Sequence, residues 1–167
     1  MRISTKGRYA LRLMMDIASH DREGYVSLRD AAARQGISMK YLEQIAGMLS
    51  RSGVLQSGRG AQGGYRLASA PEDYTVGKIL RLTEGSLAPV ACLTEPDSPC
   101  GRSGDCSAQD FWEGLYETVN AYIDRYTLAD LLRAQESKDQ LAPVCFVPGK
   151  RPVPVDEKRI PAEEKRM

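Results

Sequence analysis

The run VSLRDAAARQGISMKYLEQIAGMLSRSG, Val26 to Gly53, constrains this chain more than any other stretch. Two short helical patterns flank Gly36-Ile37-Ser38. Ser27, with Asp30 three positions on, resembles a capping box, and predicts a first helix to about Gln35. Gly36 suits the left-handed position that ends a helix. Ser38 can then cap a second helix, running to about Ser52, with Leu42, Ile45, Ala46 and Leu49 facing inward and Gly53 as the stop. Two helices joined by so short a glycine-containing turn are the signature of a helix-turn-helix.

The flanking residues extend the unit. In VLQSGRGAQGGYRLA, Val54 to Ala68, two strand-like runs enclose Gly58, Gly60, Gly63 and Gly64. This predicts a β-hairpin with a glycine-rich tip, which after a helix-turn-helix is a wing. Upstream, residues 4–20 read as a helix capped by Ser4 or Thr5, with Ala10, Leu13, Met14, Ile17 and Ala18 on one apolar stripe. Downstream, TVGKILRLTEG reads as a helix capped by Thr75 and closed by Gly85. The expected fold is mainly α with a small β-hairpin. Residues 1–85 form a winged helix-turn-helix DNA-binding domain.

Charge is distributed in keeping with that expectation. Residues 1–67 hold 11 Lys/Arg against 5 Asp/Glu, whereas residues 68–141 hold 6 against 13. A basic front with an acidic middle suits a front that meets a polyanion. On charge alone, chance clustering on solvated faces is the other reading. Candidate DNA contacts follow from residue chemistry. Ser38 and Tyr41 offer hydroxyls to phosphates and Lys40 offers charge; Gln44 can bond adenine and Glu43 can accept from cytosine. Arg51 suits a backbone contact at the far end of the helix. Lys6 and Arg8 add charge at the start of the first helix. Arg59, with Gln62 in the wing, can enter a narrow minor groove.

Beyond residue 85 the chain changes character. Residues 86–107 hold Cys92, Cys100 and Cys106. Ser107 is then expected to cap a long helix, where Trp112, Leu115, Val119, Tyr122 and Tyr126 form a heptad-like seam. Residues 108–135, this helix and a short one after it, read as a dimerisation element. Such a pairing suits a protein that reads paired half-sites of double-stranded DNA. Residues 136–167 carry five of the nine prolines and alternating charge, and read as a flexible tail.

The apolar run after Arg8 is broken by Arg12 and Asp16 and lacks a secretory cleavage pattern. No run approaches the roughly 20 apolar residues that span a bilayer. A cytoplasmic protein with no membrane association is expected. One histidine, no nucleophile–base pair and no phosphate-cradling loop before Lys-Ser/Thr argue against an enzyme. In a reducing compartment, clustered cysteines point to metal or redox chemistry. The residues alone leave several chemistries open. They are an iron–sulfur cluster, a thiol switch in a loop loosened by Pro96, Pro99, Gly101 and Gly104, or three free thiols. A structural zinc site would want closely spaced cysteine pairs, which are lacking.

MRISTKGRYALRLM, GISMKYLEQIAGMLSRSGVLQSGRGAQGGYRLA, TVGKILRLTEG and the three spaced cysteines together resemble the Rrf-two family of bacterial winged-helix regulators. They are most similar to its iron–sulfur cluster regulator (IscR-type) members. The resemblance spans about residues 1–135. It implies a homodimeric repressor or activator of a palindromic operator. It also implies that Cys92, Cys100 and Cys106 hold a cluster, [2Fe–2S] in preference to [4Fe–4S], whose state changes DNA affinity. Such regulators report cluster supply, redox state, nitric oxide or iron. Members without the cysteines sense through a partner protein. The chain departs from the pattern at the fourth ligand. Gln109 stands where IscR-type members often have histidine, and Arg8 where others have a carboxylate. His20, at the end of the first helix, is read as a surface or capping residue. Asp110 is the leading candidate for the fourth position, followed by an external thiol or water and then Cys145.

Overall fold

The apolar stripe of the first helix is where the core begins. The computed structural model describes residues 2–20, 24–60, 63–94 and 105–136, together with 144–145 and 153–154. Helix α1 spans Thr5–His20, and its Ala10, Leu13, Met14 and Ile17 are wholly buried, with Ala18 half-buried at the margin. Helices α2 (Leu28–Gln35) and α3 (Met39–Arg51) cross it, and Leu42, Ile45, Ala46 and Leu49 of α3 all reach the core, as their spacing predicts. Strands β1 (Leu55–Gly58) and β2 (Gly64–Leu67) pair antiparallel, with Leu55 opposite Leu67 and Gly58 opposite Gly64. Helices α4 (Val76–Glu84), α5 (Gln109–Arg125) and α6 (Leu128–Glu136) follow.

The turn between α2 and α3 is as its glycine requires. Gly36 adopts φ 63° and ψ 35°, a conformation that costs side-chain-bearing residues energy. The capping expectations need correction in three places. Ser27 and Ser38 occupy the N-cap positions with extended backbone, but neither side chain bonds to its helix. Their carbonyls start the helices instead, accepting from Ala31 N at 3.0 Å and Leu42 N at 3.1 Å. At α5 the N-cap is Ala108 rather than Ser107. Thr75 does cap α4, accepting from Lys78 N at 3.0 Å.

One buried charge joins α1 to α2. Asp16 interrupts the apolar run in sequence, yet it is only 5% exposed. Arg34 donates to it from Nε (3.0 Å) and Nη2 (2.6 Å), and Gln35 Nε2 donates at 3.0 Å. Arg12 reaches back across, bonding Gln35 Oε1 at 2.9 Å and the Gln35 carbonyl at 2.6 Å. That carbonyl is one of those a helix C-terminus leaves unpaired. Burial pushes the Asp16 carboxyl up, but the bonds from Arg34 and Gln35 and the Arg34 charge outweigh it, so the net shift is downward.

The last two helices are built differently. Val76 N donates to Tyr126 O and Leu128 N to Tyr74 O, both at 2.8 Å, forming a bridge between Thr75 and Thr127. Leu128 is fully buried, so α6 is part of the same core as α1 and α3. Helix α5 buries no residue completely. It is tied to α4 by Arg81, which bonds Asn120 Oδ1 at 2.9 Å and pairs with Asp124. Burial, with Tyr122 alongside, pushes the Tyr126 phenol up to about 12. In the stretch read as a tail, Val144–Cys145 (β3) and Val153–Pro154 (β4) pair antiparallel. The rest of residues 137–167 lies outside the described residues.

Asp16→Ala should lower the unfolding free energy by about 1–2 kcal/mol, a figure that allows for the solvent reaching Arg34. Because the folded pKa is depressed, the Asp16 contribution is complete above the unfolded carboxylate value of about 3.9 and is lost as pH falls through the folded value. Urea denaturation at stepped pH should therefore show a shallower acid-side decline in Asp16→Ala than in the parent.

Candidate nucleic-acid interface and cysteine segment

With Leu42, Ile45, Ala46 and Leu49 turned inward, α3 presents its other face to solvent. Lys40, Glu43, Gln44 and Arg51 are all exposed there, at spacings that keep them on one side of a helix. Ser38, whose hydroxyl the helix does not use, is exposed at the N-cap. Tyr41 is different. It is half-buried, with its ring edge-on to Tyr9 of α1 at 5.8 Å between centroids. The guanidinium groups of Arg8 and Arg12 lie 5.9 and 5.5 Å from the Tyr9 ring centre. Arg8, Tyr9 and Tyr41 therefore form a continuous strip that places the basic start of α1 beside the first turn of α3. Lys6 is exposed on that same first turn of α1.

The wing is held from outside its own strands. Val26 exchanges backbone bonds with Tyr65, at 2.8 and 2.9 Å, and so adds a one-residue third strand. Gly64 lies so close to this strand that a Cβ there would collide with the Val26 carbonyl oxygen. The Tyr25 ring covers Gly58, and Arg66 sits over the same ring at 5.0 Å while also bonding Gln56 Oε1. Arg59 is exposed between the strands; Gln62 lies outside the described residues.

Sequence reasoning misses several of these residues. Tyr9, Arg12, Tyr25 and Arg66 act through ring and guanidinium contacts between distant segments, which leave no local pattern. Met39 has a readable signal: an apolar residue at the first position of α3, off the inward stripe. It is 40% exposed. An apolar side chain there has the chemistry to meet a thymine methyl in a major groove.

Of the cysteines, Cys92 sits exposed in a single 3-10 turn, Ala91–Leu93, and Cys106 sits exposed just before α5. Both are free thiols. Cys100 lies outside the described residues, and so does the side chain of Cys145 in β3. Asp110 is exposed in the first turn of α5. Gln109 donates to Glu113 Oε1 at 2.8 Å, one turn along the same helix. Along the expected dimer seam, Trp112, Val119, Tyr122 and Tyr126 are half-buried and Leu115 is 37% exposed. Phe111, off that seam, is 64% exposed and packs edge-on to Trp112.

A recognition helix with a polar outer face, a three-residue turn before it that opens on a left-handed glycine, and a braced hairpin after it define a winged helix-turn-helix DNA-binding protein. A family model described as an iron-dependent transcriptional regulator, Rrf2, matches residues 3–134. The chain belongs to the Rrf2 (Rrf-two) family of transcriptional regulators. It is 40% identical over 133 residues to the protein named rrf2 of Nitratidesulfovibrio vulgaris, covering 80% of this chain and 88% of that one. It is 36% identical to the HTH-type transcriptional regulator IscR of Photobacterium profundum, covering 80% and 76%. Among solved structures it resembles IscR of T. potens (TM-score 0.65, 40% identity, 84% and 92% covered). It also resembles CymR, the global cysteine regulator of B. subtilis (TM-score 0.66, 38% identity, 80% and 98% covered). These relatives are regulators, not enzymes. Among the described residues no helix is long and apolar enough to cross a membrane.

Gly64→Ala should separate the wing from Val26. We expect a loss of about 1–3 kcal/mol in stability, as for other forced overpacking. DNA affinity should fall at a temperature where the protein remains folded, measured by fluorescence anisotropy with a labelled duplex.

Proposed function

We propose that this Rrf2-family regulator holds an iron–sulfur cluster on Cys92, Cys100 and Cys106, and that the state of the cluster sets its affinity for DNA. The observation that carries this reading is the donor set. Three cysteines lie in one segment between α4 and α5, and the two that are described are exposed, free thiols. Thiolates are the ligands such clusters take, so the residues present fit the group. When bound, the cluster supplies one-electron chemistry and exchangeable iron coordination, the properties a sensor of redox state, nitric oxide, iron or cluster supply uses. Asp110 is our leading candidate for the fourth position. Gln109 donates its side-chain N–H to Glu113, and an external thiol or water ranks next after Asp110, ahead of Cys145. We favour a [2Fe–2S] cluster.

The proposed target is a palindromic double-stranded operator read by a homodimer. Glu43 and Gln44 read base edges in the major groove, Ser38, Lys40, Tyr41 and Arg51 contact the DNA backbone together with Lys6 and Arg8, and Arg59 enters the minor groove from the wing that also carries Gln62. The seam along α5 pairs with its twin. Phe111 and Leu115 support this, since two exposed apolar side chains one turn apart, on a helix with no fully buried residue, form a patch that gains from a partner.

A second reading is a cluster-free regulator that works through a thiol switch or a metabolic-enzyme partner. The likeness to CymR supports it, including a Staphylococcus aureus CymR structure described as an oxidized form at 36% identity and TM-score 0.61. Exposed Cys92 and Cys106 suit that chemistry too.

Anaerobic purification separates the two. The cluster reading expects coloured protein containing iron and acid-labile sulfide, with both lost in Cys100→Ala. Colourless, iron-free protein whose DNA affinity changes on thiol oxidation would leave the second reading standing. For the wing, Arg59→Ala should weaken operator binding and flatten its dependence on log salt by about 0.9 for each phosphate that is no longer neutralised. An unaltered slope and affinity would remove Arg59 from the interface.

A further inference from the structure

The first turn of α1 is capped by a side chain from the far end of another helix. Glu84 is the last residue of α4, 80 positions from Ser4. Its Oε1 accepts from Ser4 N at 3.3 Å, from Ser4 Oγ at 2.7 Å and from Gly7 N at 3.0 Å. Ser4 Oγ in turn accepts from Lys6 N at 3.1 Å and lies 3.4 Å from Gly7 N. The N–H groups of Ser4, Lys6 and Gly7, which a helix start leaves unpaired, are thus all satisfied through one carboxylate and one hydroxyl. Space is matched to this contact. A Cβ on Gly7 would collide with Glu84 Oε1, so only glycine admits the carboxylate. Arg8 N then begins the helix by bonding Ser4 O at 3.2 Å.

This turn carries Lys6 and Arg8, and the Tyr9–Tyr41 contact sets it beside the first turn of α3. Glu84 also ends the last helix before the cysteine segment. Gly85 follows at φ 76°, then buried Leu87, then Cys92. We propose that Glu84 is a positioning residue for DNA binding: it fixes the basic start of α1 on the DNA face. The proposal rests on Lys6 and Arg8 contacting DNA.

The sign of the effect makes the idea testable. Removing a negative charge from a DNA-binding protein by itself strengthens attraction to phosphates. A purely electrostatic role therefore predicts that Glu84→Ala and Glu84→Gln both bind more tightly. A positioning role predicts that they diverge, because Gln keeps a carbonyl that can accept from Ser4 and Gly7, while Ala keeps nothing. The test uses full-length protein and a duplex selected from a random pool by the parent. Binding is followed by anisotropy across a salt series, well below each variant's melting temperature. Glu84→Gln should bind at least as tightly as the parent. Glu84→Ala should bind about three- to tenfold more weakly, because an uncapped first turn frays in the free protein and only the ordered fraction is competent to bind, and with a flatter salt dependence. Gly7→Ala, which evicts the carboxylate from the other side, should reproduce the loss in the parent and add none in Glu84→Ala. In a Lys6→Ala, Arg8→Ala background, Glu84→Ala should cost nothing further. Equal or tighter binding by Glu84→Ala overturns the proposal, and so does a loss that persists undiminished in that background. If the Lys6→Ala, Arg8→Ala protein itself binds like the parent, the contact assignment fails first and the proposal with it.

Discussion

The bidentate pair between Asp16 and Arg34 is the joint on which the DNA-binding unit depends. A helix-turn-helix works only if its second helix projects at a fixed angle, and apolar packing alone tolerates small rotations. Here one carboxylate on α1 takes two bonds from Arg34 and a third from Gln35, the last two residues before the turn. Arg12 closes the ring by holding the end of α2. The turn begins at Gly36, directly beyond this clamp, so the direction in which α3 departs is set by polar bonds of defined length. Burying such a pair is a weak source of net stability, since desolvation offsets much of the attraction. Its value lies in geometry.

The same device recurs. The wing, the start of α1 and the α4–α5 contact are each held by a residue distant in sequence: Val26 and Tyr25 on the hairpin, Glu84 on Ser4 and Gly7, Arg81 on Asn120 and Asp124. The small hydrophobic core, which includes no buried phenylalanine or tryptophan among the described residues, is thus supplemented by directional joints at its edges. The side chains proposed to meet DNA are mostly exposed. Their placement comes from backbones pinned elsewhere.

This division explains what could be read from sequence. Apolar periodicity is local, so the inward faces of α1 and α3 were legible residue by residue. Gly36 was legible because a left-handed turn restricts residue type so strongly. Capping serines were over-read: Ser27, Ser38 and Ser107 fit a local pattern, but a carbonyl or a neighbouring residue took the task. The long-range joints were illegible: Glu84 has the local context of a solvated acid, and Asp16, though it stands in an apolar run, carries no local sign that its partners are Arg34 and Gln35. Resemblance to a family identified the DNA-binding class, which the similar proteins bear out. For the cysteines, sequence supplied the chemistry of the ligands but no geometry to decide among their uses.

The bridge between Thr75 and Thr127 bears on how such regulators diversify. Leu87 and Leu128 are both buried, and no described residue between them is. The chain therefore leaves the core at Leu87, where the side chain is itself buried, and re-enters it at Leu128, where bonds from Val76 to Tyr126 and from Leu128 to Tyr74 secure the return. An insertion whose ends are fixed in this way can be lengthened, shortened or rewritten at little cost to the fold that carries it. The cysteines and α5 together form a cassette. One DNA-reading scaffold could thus be fitted with different detectors over evolutionary time without its own packing being redesigned.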